Sequence, residues 1–300
     1  MVKNLIVSMC DSKYLAKYLA MRNSAIKNGS KSNFLVLALD KCSYEILRLE
    51  SHTSQVVIDL KEILYSYPDL EIAQKNRARK EFIFSLTPHL ISYGLDHLDP
   101  EICCYLDSDT YLLANPDFFP SDKTASIGIV PHNFPPHLKN LVIYGQYNVG
   151  YMYFRNCKDS KKVVKWWKMQ CINSTSTDIS TGVFGDQKYL DHFQEIGPKI
   201  EVIKDQTIGR APWNSNDISI RNTKMFHFSG LQILSHFYMT GHHTYKWRST
   251  RLMRKELYIP YIRLLIEIRR NLFNDPIRDE LDLNLDSIKP IVKYRDFHLL

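Results

Sequence analysis

The feature that most constrains this chain is an alternation: short apolar, β-branched runs recur, each followed by a stretch whose apolar residues repeat at helical spacing. Residues 3–9 (KNLIVSM) form such a run, ending at Cys10-Asp11-Ser12, after which Tyr14, Leu15, Tyr18, Leu19, Arg22 and Ile26 fall on one helical period. Residues 34–39 (FLVLAL) predict a second strand, 44–49 a helix and 55–60 (QVVIDL) a third strand. This order predicts an α/β fold, with a mostly parallel central sheet flanked by helices. Residues 72–98 read as helical with a break before Pro88, and lead into a buried strand over 102–106 (ICCYL) that ends at Asp107-Ser108-Asp109. Strands are then expected near 125–130, 147–155 and 224–228, and helices over 161–169, 187–193 and 254–272.

A chain of 300 residues that is 44% hydrophobic and 12% aromatic has the means to bury a substantial core. The simplest division is a catalytic-sized body over 1–240 and a basic helical C-terminal extension over 241–300. The first apolar stretch is too short for a signal h-region, and none reaches the roughly 18 residues of a membrane span. The expectation is therefore a soluble, cytoplasmic protein, at most peripheral on the inner membrane face. The six cysteines include no C-x-x-C and predict reduced core residues rather than a zinc ribbon or a disulfide framework.

The net charge of +7 is concentrated rather than spread. Residues 246–270 hold eight Lys and Arg against Glu256 and Glu267, a surplus of six, which leaves the rest nearly neutral. Nucleic acid is not the expected partner. Cationic and apolar residues alternate there in short blocks, with Pro260 expected to interrupt the helix, and such a segment suits peripheral contact with an anionic membrane.

The chemistry is expected at the strand end. Two carboxylates separated by one residue, inside YLDSDTYLL, reach a single hard cation, Mn²⁺ or Mg²⁺, and diphosphate oxygens or water complete its shell. In open α/β sheets ligands bind beyond the carboxyl ends of strands, which places Asp107 and Asp109 and the Cys10-Asp11 turn at one rim.

Five ordered pieces between Met9 and Gly230 resemble the GT-A-fold glycosyltransferases, and within them glycosyltransferase family 8, the glycogenin and bacterial galactosyltransferase-like enzymes, or a sister bacterial group. MCDSKYLAKYLAMRNSAIKN is similar to the family's first strand-turn-helix, which implies base recognition by Asp11 and Tyr14. YLDSDTYLL is similar to its metal motif, with Ser108 between the two acids facing the donor. YNVGYMYF implies Asn148 and Gly150 beside the donor sugar, and GDQKYLD implies Asp186 and Gln187 near the anomeric carbon. FHFSG implies His227 as a third metal ligand and Gly230 as a place where backbone approaches the diphosphate. The family's lysine after this last motif is absent, since Gly230 is followed by LQILSHF. Phosphate contacts are expected instead from Arg77, Arg79 and Lys80.

The resemblance implies a retaining transfer from a nucleotide-sugar donor, expected to be a UDP-sugar, to a glycan or lipid-linked acceptor. Either a carboxylate attacks the anomeric carbon, or the acceptor enters on the leaving-group face. Asp186 also reads as a helix cap after Gly185. Trp213 and Asn214 in GRAPWNSN are expected at the acceptor, the indole supporting a sugar ring, though loop packing accounts for Trp213 equally well. Trp166 and Trp167 read as core, and His236, His242 and His243 lack the partners of a zinc site. Two other functions compete. A sugar nucleotidyltransferase on a related sheet calls for a glycine-rich loop after the first strand, which CDSKYLAK lacks. A non-catalytic carbohydrate- or membrane-binding module has no need of paired metal carboxylates.

Overall fold

The computed structural model describes residues 3–50, 52–197, 199–215, 222–234, 237–273, 289 and 291–300. The first half runs β1 (Asn4–Cys10), α1 (Leu15–Lys27), β2 (Asn33–Ala38), α2 (Lys41–Leu49), β3 (Gln55–Asp59), α3 (Leu60–Ser66), α4 (Leu70–Asn76), α5 (Arg79–His97), β4 (Ile102–Leu106) and β5 (Thr110–Leu112). After these come β6 (Ile127–Pro131), β7 (Tyr147–Arg155), α6 (Lys158–Asn173), α7 (Phe193–Ile196), β8 (Ile200–Val202), β9 (Met225–His227), β10 (Gln232–Leu234), β11 (Phe237–Met239), α8 (Arg251–Met253), α9 (Ile259–Phe273) and β12 (His298–Leu299).

Seven strands form the central sheet in the order β3-β2-β1-β4-β7-β6-β8. Pairing is parallel from β3 through β4 and again between β6 and β8, and only β7 runs against its neighbours. The apolar runs that predicted β1, β2 and β4 are buried along nearly their whole length, as helices on both faces require. Two hydrophobic clusters follow, one per face. One joins β1, β4 and β7 to α5 and α6 around Trp167, while the other packs α1 under the sheet around Tyr18, Leu19 and Met21.

The reversal of β7 serves the site. Because it runs antiparallel to β4, its first residues lie beside the last residues of β4, with Leu106 opposite Tyr151. A bulge between Ile129 and Val130 shifts the β6–β7 register at that end, so Val130 pairs with Asn148. Bulges of this kind re-aim side chains next to active sites.

Two prolines behave differently from expectation. Pro88 lies inside an unbroken 19-residue α5. The helix from Arg251 to Phe273 is also continuous, with a π turn over Arg254–Tyr258 just before Pro260. A proline lacks the N–H for a helical bond and its ring crowds the preceding turn, and a wider turn there relieves both conflicts.

The expected boundary at 240 does not separate two cores. Ala16 and Ala20 of α1, Phe226, Phe228, Leu231 and Tyr238 share one buried cluster with Met253, Tyr258, Tyr261, Ile262 and Leu265. Arg269 reaches back from α9 to donate to the Ser12 carbonyl at 3.3 Å, and β12 adds a strand to β11. All six cysteines are unbonded, and no helix among the described residues is long and apolar enough to cross a membrane.

Candidate active site

The Asp107-Ser108-Asp109 turn is held from three sides. The Asp107 amide donates to the Gly150 carbonyl at 3.2 Å, and Thr110 closes the turn by donating its amide and its hydroxyl to the Asp107 carbonyl. Beyond the turn, β5 pairs with β9 and sets Thr110 opposite His227, and the Phe228 amide donates to the Asp109 carbonyl at 2.8 Å. The short ribbon thus fixes His227 over the paired acids. Its Nε2 lies 3.0 Å from Asp109 Oδ1 and 3.7 Å from Asp107 Oδ2.

This donor set fits a divalent cation. One ligand atom from each of Asp107, Asp109 and His227 lies within 4.8 Å of the others. Around an octahedral ion with bonds of about 2.1 Å, adjacent ligands sit roughly 3 Å apart, the spacing His227 Nε2 has from Asp109 Oδ1, while Asp107 Oδ2 stands farther off at 3.7 Å. Gly150 permits the arrangement, since a Cβ there would stand 2.7 Å from His227 Nδ1 and 2.5 Å from Asn148 Oδ1. Asn148 in turn accepts from the Gly150 amide at 2.7 Å and meets His132 Nε2 at 3.3 Å.

The electrostatics are those of an overloaded corner. Burial raises the Asp109 carboxyl, but the charge and hydrogen bond of His227 and the charge of Lys17 outweigh it and bring it down to about 2. Asp107 moves the other way: burial raises it, His227 opposes, and repulsion from Asp109 adds to the rise. Burial lowers His227, yet the two aspartates more than compensate, so the imidazole is held more basic than usual. Asp186, 4% exposed, is pushed up to about 7 by burial, against a hydrogen bond from Thr87 and together with the Asp107 charge. Its side chain makes no cap bond to the turn that follows, so the expected capping role is not realised. Gln187 donates to the Tyr144 carbonyl at 3.0 Å.

Several expected contacts fall elsewhere. Arg77 does not face the rim: its guanidinium donates to Ser85, Thr175 and the carbonyls of Cys171 and Ile172, tying α6 to α5. Trp213 is only 3% exposed, donates to the His132 carbonyl and packs edge-on to His227 at 5.6 Å. The expected sugar platform is therefore a buried wall behind His227. Asn214 bonds to the same carbonyl and to that of Gly209, and accepts from the Ala211 amide, so it shapes the loop. Gly230 has φ +76 and its absent Cβ would lie 3.2 Å from the Cα of Gly241, so its first requirement is this backbone crossing.

At the β1–α1 turn, the Asp11 carboxylate accepts from the amides of Lys13 and Tyr14, both at 3.1 Å, and pairs with Arg79 at 3.0 Å. Tyr14 is 42% exposed, with the Lys17 ammonium 4.2 Å from its ring centroid. Ser108 is buried. Among the described residues, His242 and His243 fall in no group of three or more possible metal ligands, and His236 lies outside the described residues.

The reading of the sequence passed over Tyr105, Thr87 and His132. Tyr105 donates to Asp107 Oδ1 at 3.0 Å. It stands two residues before Asp107 on β4, and the period of two that puts alternate strand residues on one face was the signal for it. His132 follows β6 at the same rim and was open to the same strand-end argument. Thr87, inside α5, left no such trace.

No protein-family model matches the chain. It is 24% identical over 267 residues to the uncharacterized protein YfnD of Bacillus subtilis (strain 168), covering 83% of this chain and 84% of that one. Among solved structures, apo-form glycosyltransferase GlyE of Streptococcus pneumoniae TIGR4 is similar with a TM-score of 0.53 and 15% identity, over 93% of this chain and 66% of that one. The apo form of mouse xyloside xylosyltransferase 1 gives a TM-score of 0.49 and 16% identity, over 76% and 98%. The chain has a GT-A-type glycosyltransferase fold.

Proposed function

We propose that this chain is a metal-dependent glycosyltransferase that moves a sugar from a nucleotide diphosphate, a UDP-sugar by the resemblance of its motifs, to a glycan or lipid-linked acceptor. The observation that carries this reading is the convergence of Asp107, Asp109 and His227 at the carboxyl rim of the sheet, with the buried Asp186 beside them. A divalent cation held there, Mn²⁺ or Mg²⁺, would offset the charge that develops on the departing diphosphate.

The chain's own residues supply the rest. Tyr105 fixes one oxygen of Asp107 so that the other faces His227. Asn148 and Gly150 pack against His227 from β7, and the donor sugar is assigned to the open side of this group. Asp186 and Gln187 are assigned to the sugar's reactive end, where the Asp186 carboxylate, the form a bound cation beside it would favour, would offset positive charge on the anomeric carbon in a retaining transfer. Asp11 and Tyr14 are assigned to the base end of the donor, with Arg79 paired to Asp11 there, and the backbone at Ser108 and Gly230 to the rest of the donor.

The nucleotidyltransferase alternative is disfavoured by Asp11 itself. Its carboxylate already occupies amides at the entry to α1, which such an enzyme would present to phosphate. Peripheral attachment to an anionic membrane is part of the proposal. Exposed Leu252, Lys255, Arg263 and Arg270 line the outer side of the α8–α9 helix, while Ile259 and Ile266 at its border are half-buried against the cluster of Tyr261, Ile262 and Leu265. Salt-sensitive co-sedimentation with anionic but not neutral vesicles is expected.

A thermal-shift screen of nucleotide sugars with and without Mn²⁺ tests the central reading, because a ligand of the folded state raises its stability by mass action. Stabilisation by one donor only when Mn²⁺ is present, with donor-dependent release of free nucleotide, is the expected result. No response from any nucleotide sugar would refute it.

A further inference from the structure

The site described so far gathers acids but has little cationic charge for a diphosphate. Arg77 is committed to α6, Arg79 to Asp11, and Lys80 rests 5.7 Å from the ring centroid of Phe84. Resting on the donor-binding proposal above, we propose that Lys17, on the first turns of α1, is the side chain that grips the diphosphate.

The placement follows from how α1 lies along β5. Ser24 accepts from the Leu112 amide at 3.0 Å, and Asn28 donates to the Leu112 carbonyl at 3.0 Å, so the helix and the strand run the same way. Lys17 lies seven residues before Ser24, two helical turns back on the same face and about 10.5 Å along the axis. Asp109 lies three residues before Leu112, about 10 Å back along an extended chain. Lys17 therefore stands level with Asp109. Its charge is felt by both Asp109 and His227.

Lys17 is half-buried, and its ammonium rests on the ring of Tyr14 rather than against a carboxylate. An ammonium on an aromatic face keeps its three donors available, and the ring restricts the flexible stem to one side. Charge balance supplies the purpose. Two carboxylates cancel a divalent cation and leave no surplus, whereas Lys17 adds one positive charge at the same level. A diphosphate entering between Tyr14 and Asp109 would meet that charge and the metal together, and a charged donor to phosphate oxygen is among the stronger hydrogen bonds.

The test compares wild type, Lys17→Gln and Lys17→Arg by calorimetry with Mn²⁺ present, using UDP, GDP, inorganic pyrophosphate and uridine. Mn²⁺ affinity is read separately by electron paramagnetic resonance, and thermal unfolding checks that each variant folds. Lys17→Gln is expected to weaken the diphosphates that wild type binds by about tenfold or more, with uridine affinity unchanged and Mn²⁺ affinity unchanged or higher. Lys17→Arg is expected to recover most of the loss. Equal diphosphate affinity in folded Lys17→Gln and wild type would overturn this proposal alone. A wild type that binds no nucleoside diphosphate overturns the donor reading and this proposal with it.

Discussion

Two places in the molecule bring buried carboxylates against histidines, and they resolve the same problem in opposite ways. Asp296, with a fully buried side chain, accepts from His243 Nδ1 at 2.7 Å, from His298 at 3.3 Å, and from the amide and hydroxyl of Thr240. Burial would raise that carboxyl, yet these hydrogen bonds hold it far below the ordinary carboxylate range. At the rim, by contrast, Asp107 and Asp109 crowd one imidazole, and the Asp107 charge also acts on the buried Asp186. Asp107 and Asp186 are raised, and the Nδ1 of His227 is buried without a hydrogen-bond partner among the described residues. One acid among several donors is a finished structural latch, which ties the C-terminal strand to the loop after β11. Two acids sharing one imidazole, with a third close by, leave negative charge in excess, the balance that suits a cation site.

The strongest test of this contrast is removal of the acids. Asp107→Asn and Asp109→Asn should each lower transfer on the order of a thousandfold, about 4 kcal/mol, because the charge opposite the leaving group is lost. EDTA should do the same to wild type. Asp107→Asn should leave unfolding stability within about 0.5 kcal/mol of wild type or raise it, since it relieves repulsion. Asp109→Asn gives up the charged hydrogen bond to His227 and should cost about 1 kcal/mol while the protein still folds. Full activity in EDTA would end the comparison.

The latch should respond in reverse. Asp296→Ala strands His243 and Thr240 and should cost about 3 kcal/mol in urea unfolding, with Mn²⁺ affinity untouched. Because the folded carboxyl is depressed, its contribution is present above the ordinary aspartate range near pH 4 and is lost on acidification. A shift in Mn²⁺ affinity without loss of stability would show that the latch and the site are one system.

Asp186 carries the opposite sign. Its folded affinity for protons is raised to about 7, so with EDTA present the native state holds a proton that the unfolded state has released. Its contribution is complete below the ordinary aspartate range and lost as pH rises toward 7. Wild type should therefore lose up to about 2 kcal/mol relative to Asp186→Asn between about pH 5.5 and pH 7. Parallel stability profiles would mean that the carboxyl is ionised throughout, and its proposed role would need revision.

What the chain disclosed beforehand follows the same division. The strands β1, β2 and β4 and the acids at the end of β4 were legible because burial on both faces leaves uninterrupted apolar runs, and a strand's end marks the rim. His227 was legible by its place after a short apolar run. Trp213 was misplaced because loop composition does not reveal which carbonyl, here that of His132, will bury an indole. Arg77 was misplaced for a related reason: its partners are main-chain carbonyls at the end of α6, over ninety residues away. The sharing of one core across residue 240 was equally invisible, since it depends on which side of α1 accepts α9.

The smallest expected effect probes the β1–α1 turn, far from the latch in sequence; beside that turn, Ala16 of α1 packs in the same cluster as Tyr261 of α9. Tyr14→Ala should weaken UDP binding by about 1 kcal/mol, the size of a lost aromatic stack, and leave urea stability unchanged because the ring is 42% exposed. Tyr14 also seats Lys17, so the alanine variant alone would confuse the base with the diphosphate. Tyr14→Phe separates them, since it keeps the aromatic face that both base and ammonium use and removes only the hydroxyl. The expected order in calorimetry is wild type and Tyr14→Phe together, Tyr14→Ala weaker for uridine and UDP alike. If Tyr14→Ala weakens UDP but leaves uridine unchanged, the ring serves as a seat for Lys17 and the base is held elsewhere along the β1–α1 turn.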